Sequence, residues 1–143
     1  MKARLGRLIV KARVDDDRLR SRLRALGPRI AREVVGPEVL DAGEKLLQAI
    51  RARVPVGEGT ARDSLRLDVA SPRDGLATAT ISVDAAAIRA AAPDHFFYFA
   101  AIEFGTDHRP AAAPIRTAVD LDWPPILAGM RAGIASRLRR LGR

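Results

Sequence analysis

The chain of 143 residues contains no cysteine, and that absence removes disulfide frameworks, thiolate zinc sites, iron–sulfur clusters and cysteine nucleophiles. Histidine is nearly absent too: His95 and His108 are the only imidazoles available for ligation or proton transfer. Aromatic residues make up 4% of the chain, so Ala, Leu, Val and Ile must fill most of any core, a composition suited to helices packed on a small sheet. No apolar run approaches the ~20 residues that a membrane helix requires. The opening MKARLGRLIVKARV also lacks the apolar core and cleavage site of a secretory signal. The expectation is a soluble product made in the cytoplasm, with no membrane contact. One domain spanning 1–143 is expected, able to bury roughly two thirds of its unfolded surface without disulfide or metal staples.

Positive charge is what the chain has in excess. Lys and Arg total 25 against 17 Asp and Glu, a net charge of +8, and 22 of the bases are arginine. Residues 1–29 hold ten bases and three acids, and residues 130–143 hold five arginines and no acid. That leaves ten bases and 14 acids, a net of −4, on the central 100 residues. The body is mildly acidic and the ends are basic, with 1–14 and 130–143 the candidate flexible segments. Neither end contains an aromatic residue, the stacking partner on which compact nucleic-acid modules rely, so the charge favours a peripheral electrostatic contact.

Periodicity divides the chain into elements. Leu8, Val10, Ala12 and Val14 alternate with Arg7, Ile9, Lys11 and Arg13, the period of a strand over about 6–14. Asp15, Asp16 and Asp17 then offer cap oxygens to a helix whose Leu19, Leu23, Leu26, Ile30 and Val34 recur at helical spacing. Gly27-Pro28 and Gly36-Pro37 predict kinks or short breaks, after which a helical face continues to about residue 54. Pro55 to Thr60 reads as a loop. Two strands, 65–70 and 76–84, flank Ser71-Pro72-Arg73-Asp74-Gly75, a turn-forming sequence, and predict a β-hairpin. Residues 85–92 read as a helical turn, and 95–104, HFFYFAAIEF, as a strand or as a short helix leading into a strand. A loop over 106–113, a helix from Pro114 to about Asp120 and a last amphipathic helix over 126–141 complete an α+β fold. It has a small, mainly antiparallel sheet, a long kinked N-terminal helix and a C-terminal helix.

Catalysis needs a constellation, and this inventory offers little. Glu103, Asp107 and His108 are the one local group capable of acid–base work or metal ligation, yet their spacing matches no metal-site pattern and such loop residues ordinarily bond to backbone. Val56-Gly57-Glu58-Gly59-Thr60 lacks the lysine and the preceding strand of a phosphate-binding loop. The triple Asp15–Asp17 is better explained by capping than by a cation. Phe96, Phe97, Tyr98 and Phe99 read equally as core or as a stacking or subunit surface. The sequence therefore points away from an enzyme, and no cofactor or metal is expected.

Two ordered stretches resemble one family. Pro55-Val56-Gly57-Glu58-Gly59-Thr60-Ala61-Arg62-Asp63-Ser64-Leu65 resembles a motif of proline, apolar, any, threonine, glycine, any, leucine, arginine, any, serine, apolar. Tyr98-Phe99-Ala100-Ala101-Ile102-Glu103-Phe104-Gly105-Thr106, followed by Pro114-Ile115-Arg116-Thr117-Ala118, resembles the same family's Tyr-Ala, Glu-Phe-Gly-Thr and proline-led closing helix. That family comprises the neck and tail-completion, or head-to-tail joining, proteins of long-tailed, lambda-like bacteriophages and prophages. Glu58, Ala61 and Ile115 depart from its usual Thr, Leu and Phe. The resemblance implies a structural virion protein, made in the bacterial cytoplasm and placed at the head–tail junction as neck protein or tail terminator. It further implies a homo-oligomeric, six-fold ring that touches other neck proteins and the tail tube protein and lies close to passing DNA. Pro55, Gly57, Gly59, Arg62, Ser64, Tyr98, Glu103, Phe104, Gly105, Thr106 and Pro114 are the motif and interface candidates it supplies. Gly57, Gly59 and Gly105 read as direction-changing positions, and Glu103 as a partner for an arginine across an interface. The alternative drawn from charge is a small basic nucleic-acid-binding module. A toxin-type ribonuclease is the third reading, resting on size and charge, with Glu103 and His108 its testable residues.

Overall fold

The computed structural model describes residues 9–11, 21, 27–55, 59–73, 76–91 and 98–141. Their order is β1 (Ile9–Lys11), α1 (Gly27–Ile30), a π-helical segment (Ala31–Val35), α2 (Gly36–Arg53), α3 (Thr60–Asp63), β2 (Leu65–Arg73), β3 (Leu76–Val83), α4 (Ala85–Ala91), α5 (Tyr98–Phe104), α6 (Pro114–Leu121) and α7 (Trp123–Leu141). The architecture is α+β, as the composition and periodicity predict.

The hairpin forms where the alternation places it. β2 and β3 pair antiparallel, with Leu65 opposite Val83, Leu67 opposite Ile81 and Val69 opposite Ala79, and the register shifts between Ala70 and Arg73. β1 adds antiparallel to the other side of β3, Val10 opposite Ile81, so the sheet order is β1-β3-β2. Of the strand expected over 6–14, only 9–11 fall among the described residues, and the helix expected from Asp15 lies mostly outside them.

α2 lies across β2 and β3 and also packs on α6 and α7. Its row Leu46, Leu47 and Ile50 meets Leu65, Ile81, Val83, Ile88, Phe99, Ile115 and Ala118 in the main core. Gly43 allows the close approach, because a Cβ there would stand 3.0 Å from a Leu67 methyl and 3.1 Å from the Ala79 methyl. A second cluster, Val34, Ala42, Met130 and Ile134, joins the π-helical segment and α2 to α7, and Trp123 and Ile126 pack against both clusters. No helix among the described residues is long and apolar enough to cross a membrane.

Four elements differ from the sequence reading. Gly36-Pro37 does not break the helix: Pro37 stands in the first turn of α2, and the strain of its missing N–H is absorbed upstream by the π turn, where Gly36 N–H donates to Ala31 O five residues back. HFFYFAAIEF yields a helix over Tyr98–Phe104, and the chain leaves a helix, not a strand, at Gly105. Thr60–Asp63 makes a helical turn beginning inside the expected loop. α7 starts at Trp123, three residues early, because Pro124 and Pro125 fall in the first turn, where no backbone N–H is needed.

Candidate functional site

The second motif stretch folds into a corner between α5 and α6. α5 ends with Gly105 in the left-handed region at φ +79°, its N–H donating to Ala101 O at 2.8 Å. A Cβ at this position would sit 2.8 Å from Ala111 N and 2.9 Å from Arg109 O, so only glycine lets the returning chain pass so close. Thr106 and Arg109 then exchange backbone hydrogen bonds of 2.8 and 3.2 Å, and Thr106 Oγ1 accepts from His108 N–H at 3.3 Å. On the way back, Ala112 and Ala113 N–H both donate to Ile102 O, at 2.9 and 3.1 Å. The result is a loop clamped to its own helix at both ends, with Thr106 to Ala112 exposed.

Pro114 is buried at the first turn of α6, where the next two backbone N–H groups lack helical partners. Glu103 supplies them. Its carboxylate is 2% exposed and accepts from Ile115 N–H at 2.9 Å, from Arg116 N–H at 3.1 Å and from Arg116 Nε at 3.2 Å. Arg116 Nη2 also donates to Glu103 O at 2.6 Å, and its guanidinium lies 5.5 Å from the Phe104 ring centre. The arginine expected opposite Glu103 across an interface is thus found within the same chain, and the carboxylate is used up as a remote helix cap. Phe104, by contrast, is 62% exposed.

The first motif stretch is a tighter turn on the same core. Gly59 adopts φ +80° and caps the short α3, whose Ala61 enters the main core. Ser64 is buried, donates through Oγ to Ala61 O at 2.7 Å and accepts on its own carbonyl from Asp84 N–H at 2.8 Å. Arg62 stays exposed beside Asp63, and Pro55 is exposed just beyond α2. Gly57 and the Tyr98 side chain lie outside the described residues, as do Phe96 and Phe97; Phe99 is fully buried. The two stretches meet through the core they share, with Ala61 and Leu65 on one side and Phe99, Ile115 and Ala118 on the other.

Asp84 ends the expected strand, yet its position before an Ala run is also the ordinary signal of a cap. Its Oδ1 accepts from Ala86 and Ala87 N–H at 3.0 Å each. The Ala87 hydrogen bond, followed by that of Ala86 and the Arg66 charge, lowers the Asp84 carboxyl below its ordinary value against the opposing effect of burial. Pro114 marks a helix start in need of an acceptor, which signals Glu103, and Arg116 two residues on is the donor that joins that carboxylate. Asp107 and His108 are exposed at the loop tip, apart from the buried Glu103, and among the described residues no cluster of three or more His, Asp or Glu is arranged to hold a metal. Comparison with family models, with curated proteins and with solved structures gives no match.

Proposed function

We propose that this chain is a structural protein of a tailed-phage particle, a neck or tail-completion subunit that joins head to tail as part of a homo-oligomeric ring. No bond is made or broken in this role. The reading rests on the order and spacing of the two motif stretches. What supports it most in the structure is the corner from Glu103 to Arg116: the polar groups of the motif are spent internally on making the loop rigid, while Phe104 is left 62% exposed with an arginine over its ring. Rigid, solvent-facing aromatic–arginine pairs are the residue chemistry of subunit contacts. The basic last turn of α7, with Arg139 and Arg140 exposed, suits an acidic neighbour or the phosphates of passing DNA.

The test is the native mass of the full chain across concentration and salt, by light scattering with negative-stain imaging, alone and with tail tube and neck components. Rings, alone or on addition of those components, are expected. A monomer that ignores them but binds DNA with steep salt dependence overturns the reading in favour of a basic nucleic-acid module. RNA cleavage lost in His108→Ala overturns it in favour of a nuclease.

A further inference from the structure

Among the described residues β2 has a neighbouring strand on one side only. Asp84 N–H donates to Ser64 O, so the even-numbered residues that follow, Arg66 and Asp68, turn their backbone groups toward β3. Leu65, Leu67 and Val69 turn theirs outward, and Arg51 Nη2 reaches one of them, Leu65 O, at 3.0 Å. The same three residues project their side chains toward α2. Leu65 is buried, but Val69 is 41% exposed and Leu40, on the flank of α2, is 39% exposed. Between them runs a groove of about 690 Å³, whose α2 wall sets Asp41, Glu44, Lys45, Gln48 and Arg51 beside Leu40 and Leu47, with Leu67 and Val69 of β2 opposite.

We propose that this edge is a self-association surface, on which β2 pairs antiparallel with β2 of a second copy about a two-fold axis at Leu67. The hydrogen-bond parity fits, since Leu67 faces its own copy and Leu65 faces Val69 with outward backbone groups on both strands. The charges fit in the same register: on the opposite face Arg66 falls across from Asp68 of the second copy, and Asp68 across from its Arg66, whereas moving the axis to Asp68 would set the two aspartates against each other. The helices fit as well. α2 sits over β2 and β3, so strand spacings of ~4.8 Å place the two α2 axes ~10 Å apart across the dyad, at the upper end of the separation of packed helices. Leu40 and the groove would then be filled by the partner's α2 and β2. This pairing does not depend on the ring reading.

Because the chain has no cysteine, single substitutions give a clean test on the full-length protein. Arg66 and Asp68 would form a non-hydrogen-bonded cross-strand pair with Cα atoms ~4.5 Å apart, within disulfide reach, while two copies of Arg66 would stand ~7–8 Å apart. Mixed Arg66→Cys and Asp68→Cys proteins are expected to cross-link under mild oxidation in clear excess over either alone. Val69→Lys, at a half-exposed position that leaves the core intact, is expected to raise the dimer dissociation constant at least ~10-fold. Equal cross-linking in all three samples, a dimer indifferent to Val69→Lys, or a monomer up to roughly 1 mM overturns the pairing. Rings that form while no Val69-sensitive dimer is detected sink it and leave the neck reading in place; a cross-linked dimer with no ring under any condition does the reverse.

Discussion

Replacing Glu103 by alanine removes the acceptor for two backbone N–H groups at the start of α6 and for Arg116 Nε. Hydrogen bonds to a charged group contribute ~1.5–3 kcal/mol each. The Arg116 side chain is 56% exposed, so its ion pair is screened by water and adds at most ~1 kcal/mol. Most of the loss comes from the two backbone donors, and Ile115 N–H lies in a buried setting where no water replaces the carboxylate. The expected cost is ~3–5 kcal/mol, a fifth or more of the ~5–15 kcal/mol that holds a domain together. Urea denaturation followed by circular dichroism reads it as a fall in midpoint at unchanged slope. Glu103→Gln keeps one acceptor oxygen but turns an NH2 toward a backbone donor, and should cost about half as much. Arg116→Ala, which loses the screened ion pair, the Nη2 bond to Glu103 O and the Phe104 contact, should cost ~1–2 kcal/mol. If Glu103→Ala lost less than ~1 kcal/mol, or if Arg116→Ala matched it, the carboxylate would not be the cap of α6 and the rigid-corner argument would fail.

Two of the left-handed glycines, Gly59 and Gly105, should behave differently. Gly105→Ala adds backbone overlap with Ala111 and Arg109 to the cost of the left-handed conformation and should lose ~2–5 kcal/mol. Gly59→Ala meets only the Asp63 carboxylate at 3.5 Å, so ~1–2 kcal/mol is expected; equal losses by thermal unfolding would refute the contrast. Phe99→Ala empties a fully buried ring site and should cost ~3–5 kcal/mol by the same assay. For Asp84, a folded-state carboxyl pKa below the ordinary 3.8 means that its stabilising contribution is present above that value and disappears as pH falls through the folded one. A carboxyl NMR titration should find the lowered midpoint, and Asp84→Asn, which keeps the cap oxygen, should flatten the acid limb of the stability curve.

The hairpin was legible because alternation on both sides of the turn-forming Ser71–Gly75 puts Leu65, Leu67, Ile81 and Val83 on a common face. α5 was not, because HFFYFAAIEF is nearly continuous in apolar residues and carries no period of its own. What adds to the helix is the demand on Ile102 O, taken by Ala112 and Ala113 N–H, contacts that exist only once the chain has turned back. The role of Glu103 was hidden for the same reason, its partners lying 12 and 13 residues downstream. At Gly36-Pro37 a kink or short break was legible; the π turn before it spreads the disturbance over Ala31–Val35 and lets the helix continue.

A π turn is an α-helix with one extra residue, so this chain carries at Ala31–Val35 the equivalent of a single-codon insertion preserved inside a helix. The extra residue turns the upstream face by about 100° relative to an unbroken helix. Val34 and Ala42 nevertheless meet the same side of α7, with Ile30 and Val39 packed beside them. Deleting one residue within 31–35 would restore regular winding and rotate Ile30 out of that contact. The segment is thus a place where helix length and side-chain phase are traded against each other, and homologous chains of different length should be aligned there before any gap is placed in the surrounding loops.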